Sequence, residues 1–138
     1  MLKLALAIFL IAHGLVHVGL AAAPNPADPN GKPGAFFTAV ERSWLLPQLG
    51  LSGTAVHWIG IILVTLSTLG FILAGLGIFG IVGLTAIWRT VAIISAGISL
   101  LLLIAFWHPW LPVGVLINIV TLVALLFTNW PSADLIGS

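Results

Sequence analysis

The amino-acid sequence predicts an all-α integral membrane protein, an up-and-down four-helix bundle with a short interfacial helix between helices 1 and 2. Three observations predict it. Of 138 residues, 61% are hydrophobic, four are Lys or Arg and three are Asp or Glu. A soluble domain carries roughly a quarter charged residues, and so few charges could not coat a water-facing surface. Four apolar stretches each approach the ~20 residues that a helix needs to cross a ~30 Å hydrocarbon core. The links between the last three are short, which makes neighbouring helices antiparallel.

Helix 1 is expected over residues 2–23. Lys3 followed by an apolar run and Ala21-Ala22-Ala23 imitates a cleavable signal peptide. The run is longer than a signal core, and Pro24 would follow the cut directly, so it reads as a membrane helix. Residues 24–53 form the extramembrane segment. Its first part, from Pro24 to Gly34, is dense in turn formers and excludes a helix. Thr38-Ala39-Val40-Glu41 then reads as a capping box opening a short helix. Phe37, Val40, Trp44 and Leu45 would share one face, Glu41 and Arg42 would turn away, and Pro47 would end it. Such a helix suits the headgroup plane; an irregular loop is the alternative. Asp28, Asn30 and Gly31 imitate the opening of a calcium loop, but the glutamate at the required spacing is missing.

Helices 2, 3 and 4 are expected over residues 54–78, 87–107 and 113–128, completing one domain over 1–138. The fourth is short and must stand upright or thin the bilayer. Gly70/Ala74, Ala92/Ala96 and Ser95/Ser99 are small pairs four residues apart, the pattern of close helix–helix seams. Lys3 and Arg89 fall on one side, Lys32 and Arg42 on the other. Lys3 beside the amino terminus tips the tie toward a multi-pass cell-membrane protein with cytoplasmic termini. Trp44, Trp58, Trp107 and Trp110 mark one interface and Trp88 and Trp130 the other, with Arg89 as a snorkelling anchor.

The composition also excludes chemistry. With no cysteine there is no disulfide, thiol nucleophile or Cys-bound cluster. A net charge of +1 argues against nucleic acid. No Gly-rich phosphate loop and no Ser/His/Asp grouping is evident.

Histidine is the informative residue. Antiparallel order brings His13, His17, His57 and His108 toward one leaflet, and Asn118 with Thr121 falls at comparable depth. His13 and His17 lie four apart and share a helix face. Polar groups in the membrane are costly unless satisfied, so they face the bundle interior and often mark function. Imidazole suits zinc, copper and haem iron. The predicted metal ligands are therefore His13, His17, His57 and His108, with Asn118 and Thr121 as polar support. A quinone or proton-handling pocket and simple interhelical hydrogen bonding are the competing readings.

The stretch from Leu2 through His13-Gly14-Leu15-Val16-His17 resembles the first helix of DoxX-like membrane proteins. Lys3, His13 and Gly14 match, and His17 stands where that family commonly has lysine. The resemblance implies a small four-helix bundle with a quinone-linked or oxidative-stress-associated role beside a partner. Two functions are thus expected. One is a non-enzymatic accessory or structural subunit, embedded in the lipid bilayer and packed against other membrane subunits or against itself. The other is a redox or metal/haem-handling protein built on the histidines. So few polar residues make a poor permeation path.

Overall fold

The structure is a computed structural model and describes residues 1–25, 30 and 33–136. Its elements are α1 (Leu2–Ala21), α2 (Gly53–Phe79), α3 (Trp88–Ala105), α4 (Pro112–Phe127) and the single turn α5 (Ala133–Ile136). The calcium-like Asp28 and Gly31, and also Lys32, lie outside the described residues.

Local chemistry sets the helix ends within two residues of expectation. Ser52 caps α2, its hydroxyl accepting the Ala55 N–H. Gly80, at φ 100°, ends α2 in the left-handed conformation, its N–H returning to the Gly77 and Leu76 carbonyls. Pro112 opens α4 at a position where its missing N–H costs nothing. Three helices, α1, α2 and α3, are long and apolar enough to cross a membrane, with mean hydropathies of 2.2, 2.4 and 1.9. α4 is apolar but has 16 residues.

Consecutive helices run antiparallel, as two apolar clusters reveal. One cluster joins Ala7 and Leu10 of α1 to Phe71, Ala74 and Ile78 of α2, Trp88, Ala92 and Ala96 of α3, and Leu125 of α4. The other joins Val56 and Val64 of α2 to Leu102, Leu103 and Phe106 of α3, beneath Phe36 and Phe37 of the connecting segment. Each cluster thus takes the start of one helix and the end of the next. Of the predicted seam residues, Gly70 and Ser95 meet between α2 and α3. A side chain at Gly70 would overlap Ser95 Oγ and stand 3.0 Å from Ser95 Cβ. Ala74, Ala92 and Ala96 are fully buried. These seams are used within the chain.

The expected interfacial helix is absent. In its place are two single 3-10 turns, Val40–Arg42 and Pro47–Leu49. The predicted faces hold in part: Phe37 is buried and Glu41 exposed as expected, but Arg42 is buried with Ser43, while Val40 and Trp44 are exposed. The cause is the end of α3, whose last carbonyls have no partner within the helix. Trp44 Nε1 donates to the Ile104 carbonyl at 2.6 Å and Ser43 Oγ to the Ala105 carbonyl at 2.8 Å. Arg42 Nη2 donates to the Phe106 carbonyl at 3.3 Å, bringing a cation to the negative end of the helix. Thr38, the expected cap, donates to the Gly34 carbonyl. The Phe37 carbonyl presses against α2 at Gly60, where any side chain would overlap it.

Trp88 also departs from expectation. It is buried in the α1–α4 core with Arg89 stacked 5.9 Å from its ring, while Trp130 stays exposed at that end.

Candidate functional site: the buried histidine pair

The site begins with spacing on α1. His13 and His17 are one turn apart, and both are buried at 8% and 2% exposure. Their rings meet edge to face at 5.1 Å, and Phe71 of α2 lies against both, at 4.8 Å from His13 and 6.1 Å from His17. α1 approaches α2 closely because residue 14 is glycine. A Cβ there would stand 2.9 Å from the Thr68 carbonyl oxygen and 3.0 Å from Phe71 Cβ. Thr68 Oγ1 completes that contact by donating to the Gly14 carbonyl at 3.1 Å.

α3 and α4 supply the polar partners. Ser99 and Asn118 are fully buried. Two backbone carbonyls, which can only accept, fix Asn118 Nδ2 and His17 Nδ1 as donors, and with His17 in its single-proton tautomer the remaining directions follow. Asn118 turns its Nδ2 toward the Gly114 carbonyl at 3.0 Å, so its Oδ1 faces His13 Nε2 at 3.2 Å and that nitrogen carries the proton. His17 Nδ1 donates to the His13 carbonyl at 2.9 Å, which leaves its Nε2 as a lone pair. Ser99 donates its hydroxyl to that lone pair at 2.6 Å and accepts the second Asn118 N–H at 2.7 Å. The chain of donors runs His13, Asn118, Ser99, His17 and back to the His13 backbone. Unpaired polar groups at this depth would each cost several kcal/mol, on the order of 2–7 by transfer estimates, and here they satisfy one another.

The layer lies between the two apolar clusters. His13 is eight residues from the end of α1, roughly 12 Å at 1.5 Å per residue. His13 therefore sits near mid-height of α1, and His17 one turn nearer its end.

The other predicted ligands do not join this pair. His57 is exposed in the first turns of α2, roughly 16 Å along the axis from Thr68, and rests on its neighbour Trp58. His108 stands at the α3–α4 corner, its Nδ1 accepting the Trp110 N–H at 3.2 Å and its ring beside Phe36. Partial burial first, then the nearby Arg42 charge, lower its pKa below the ordinary value. Burial likewise lowers the Arg42 guanidinium, which stacks 4.7 Å from Phe36. Thr121, the expected support, lines an apolar groove between α1 and α4 instead. Among the described residues no group of three or more His, Cys, Asp or Glu converges as a metal site. To ligate through Nε2, His13 must release Asn118 and His17 must release Ser99.

Sequence reasoning missed Ser99 as the hinge of the circuit, reading it only as a seam residue, and missed Phe71 and Gly14 as the shape of the pocket. The signal was present in Gly14, a glycine between two histidines inside an apolar helix, where close approach is the usual cause.

No family model, curated protein or solved structure matches the chain.

Proposed function

We propose that this chain is a multi-pass membrane protein, a four-helix bundle whose α4 is the fourth crossing, acting as a non-enzymatic accessory or structural subunit of a membrane assembly. The closed hydrogen-bond circuit carries the reading. It spends the ring nitrogens His13 Nε2 and His17 Nε2 on joining α1 to α4 and α3, as a clasp does, and His17 Nδ1 on the α1 backbone. α4 supports the subunit role, since it buries only Asn118 and Leu125 within the chain and turns Leu116, Ile119, Val123 and Leu126 outward. Both termini are placed in the cytoplasm, with Lys3 and Arg89 at the same end.

The test is isolation in mild detergent, followed by metal analysis, a visible spectrum and identification of co-purifying subunits. A colourless, metal-free protein that brings defined membrane partners supports the reading. A Soret band or stoichiometric copper or zinc, lost in His17→Ala with the fold intact, overturns it. That result would favour the second reading, a redox or metal-handling protein of DoxX-like kind. Its specific support is the edge-to-face pair on one helix face, two imidazoles already within 5.1 Å.

A further inference from the structure

α1 and α4 meet across the His13–Asn118 bond, and toward the end that carries both termini they part. The space between them is a cavity of about 280 Å³, lined by Leu6 and Phe9 of α1, Val120 and Ala124 of α4, and Trp88 and Trp130. Phe9, Val120 and Trp130 are exposed, so the groove opens sideways. It extends along α4 from Leu125 to Leu116, about 13 Å at 1.5 Å per residue, and passes the level of Asn118, which does not line it. It is thus a side-open slot about half a bilayer long.

Shape decides among occupants. A helix of ~10 Å diameter occupies roughly 1,000 Å³ over that length, more than the empty volume of about 790 Å³ in the open groove. A single extended hydrocarbon chain is narrow enough. The far end of the slot supplies a headgroup partner. Arg89 lies over Trp88, one wall of the groove, and its Nη1 donates at 2.9 Å to Asn129, the residue before Trp130, another wall. Its Nε and Nη2 are buried with no hydrogen-bond partner among the described residues. Those two N–H groups form the fork that matches two oxygens of a phosphate. Arg89 is the second residue of α3, so the positive end of the helix adds to its charge. Asn129, held at φ 54°, presents a neutral amide, and no carboxylate among the described residues pairs with that charge.

We propose that this groove binds one acyl chain of an anionic phospholipid whose phosphate pairs with Arg89. The inference is independent of the subunit reading above. It fixes the lipid's leaflet, that of the two termini, and its preference, an anionic over a zwitterionic headgroup.

The test uses the full chain in bilayer nanodiscs of phosphatidylcholine doped with chain-brominated phosphatidylglycerol or, at equal mole fraction, chain-brominated phosphatidylcholine. Bromine quenches tryptophan on contact, and Trp88 and Trp130 line the slot while Trp44, Trp58, Trp107 and Trp110 sit at the other end. Quenching of the native protein should be at least about threefold more efficient with the anionic lipid. Arg89→Gln should bring the ratio to one and Arg89→Lys should restore part of it. Ala124→Phe, which fills the slot, should lower quenching by both lipids. A ratio of one in the native protein overturns the proposal without recourse to any variant. A ratio of one accompanied by a stable dimer would assign the slot to a second copy and overturn it equally. A preference that survives Arg89→Gln in a folded variant would also overturn it.

Discussion

Replacing Asn118 with leucine tests the clasp most directly, because the side chain keeps its volume and loses every bond. Asn118 joins three partners: His13 Nε2 on α1, Ser99 Oγ on α3 and the Gly114 carbonyl one turn back. The Gly114 carbonyl belongs to the α4 backbone ladder, so its loss counts little. The two interhelical bonds matter. Hydrogen bonds between membrane helices average about 0.6 kcal/mol and reach about 1.7, because helices separated in lipid find other partners. Two of them give about 1–3 kcal/mol. Exposure of Asn118 is nil, so the orphaned His13 N–H and Ser99 hydroxyl have no water to turn to, which favours the upper part of that range. The assay is reversible unfolding in bicelles by a denaturing detergent, run as a double-mutant cycle with Ser99→Ala. Because Ser99 receives the Asn118 N–H and passes its own proton to His17, the two changes should couple by at least about 0.6 kcal/mol. Thr65 of α2 is exposed, and Thr65→Ala should couple with Asn118→Leu by less than about 0.3 kcal/mol. A loss below about 0.5 kcal/mol in Asn118→Leu, with no coupling to Ser99, would refute the circuit as a source of stability.

Three other perturbations follow from particular contacts. Gly60→Ala sets a methyl group against the Phe37 carbonyl and should lift the connecting segment, costing about 1–3 kcal/mol and quickening proteolysis between α1 and α2. Gly14→Ala should cost a similar amount through the Thr68 carbonyl, whereas Gly97→Ala, with open space around it, should be neutral or gain up to about 1 kcal/mol; detergent unfolding ranks the two. His108 should make stability depend on pH. Its folded pKa lies below the 6.5 of the unfolded chain, so the unfolded state binds more protons between the two values. The contribution is therefore complete above about pH 6.5 and is lost as pH falls toward the folded value, where protonating Nδ1 also breaks the Trp110 bond. Thermal melts between about pH 7.5 and about pH 5 should show a falling midpoint that His108→Gln flattens.

The apolar elements were legible in the sequence and the connecting segment was not. A run such as Gly53–Phe79 has one stable answer in lipid, since helix is the one local structure that satisfies its backbone. Its ends were legible too, because Ser52 and Gly80 carry their own conformational instructions. Residues 38–45 carry a capping signature of comparable clarity, yet that helix does not form. The pattern was outcompeted by a partner 60 residues away, the unpaired carbonyls of α3, which draw Arg42, Ser43 and Trp44 inward. No local pattern could reveal that. The candidate site divides in the same way. His13 and His17 were readable as a pair because four residues on a helix fix their relation. Asn118 was readable by its isolation among apolar neighbours. Gathering His57 and His108 with them relied on topology alone, which places residues at the same end of a bundle but not at the same depth.

Depth is what gives the polar layer its physical use. In lipid the surroundings of a helix are as apolar as its neighbours, so burying Leu102 or Phe71 against another helix favours no particular register. The two apolar clusters by themselves would tolerate one helix sliding or turning against the next. The circuit does not. A shift of α4 by one residue turns Asn118 by about 100° and carries it away from both His13 and Ser99, stranding three polar groups in the driest part of the structure. Gly14 adds a steric condition to this electrostatic one, since it lets α1 seat against Thr68 at one height only. The histidine pair is then best understood by where it lies: at mid-height, between apolar layers that supply adhesion, it supplies the alignment they lack. Any ligand that drew His13 or His17 out of the circuit would have to repay that alignment, and a small protein with 16 residues in its fourth helix has little else with which to hold α4 in place.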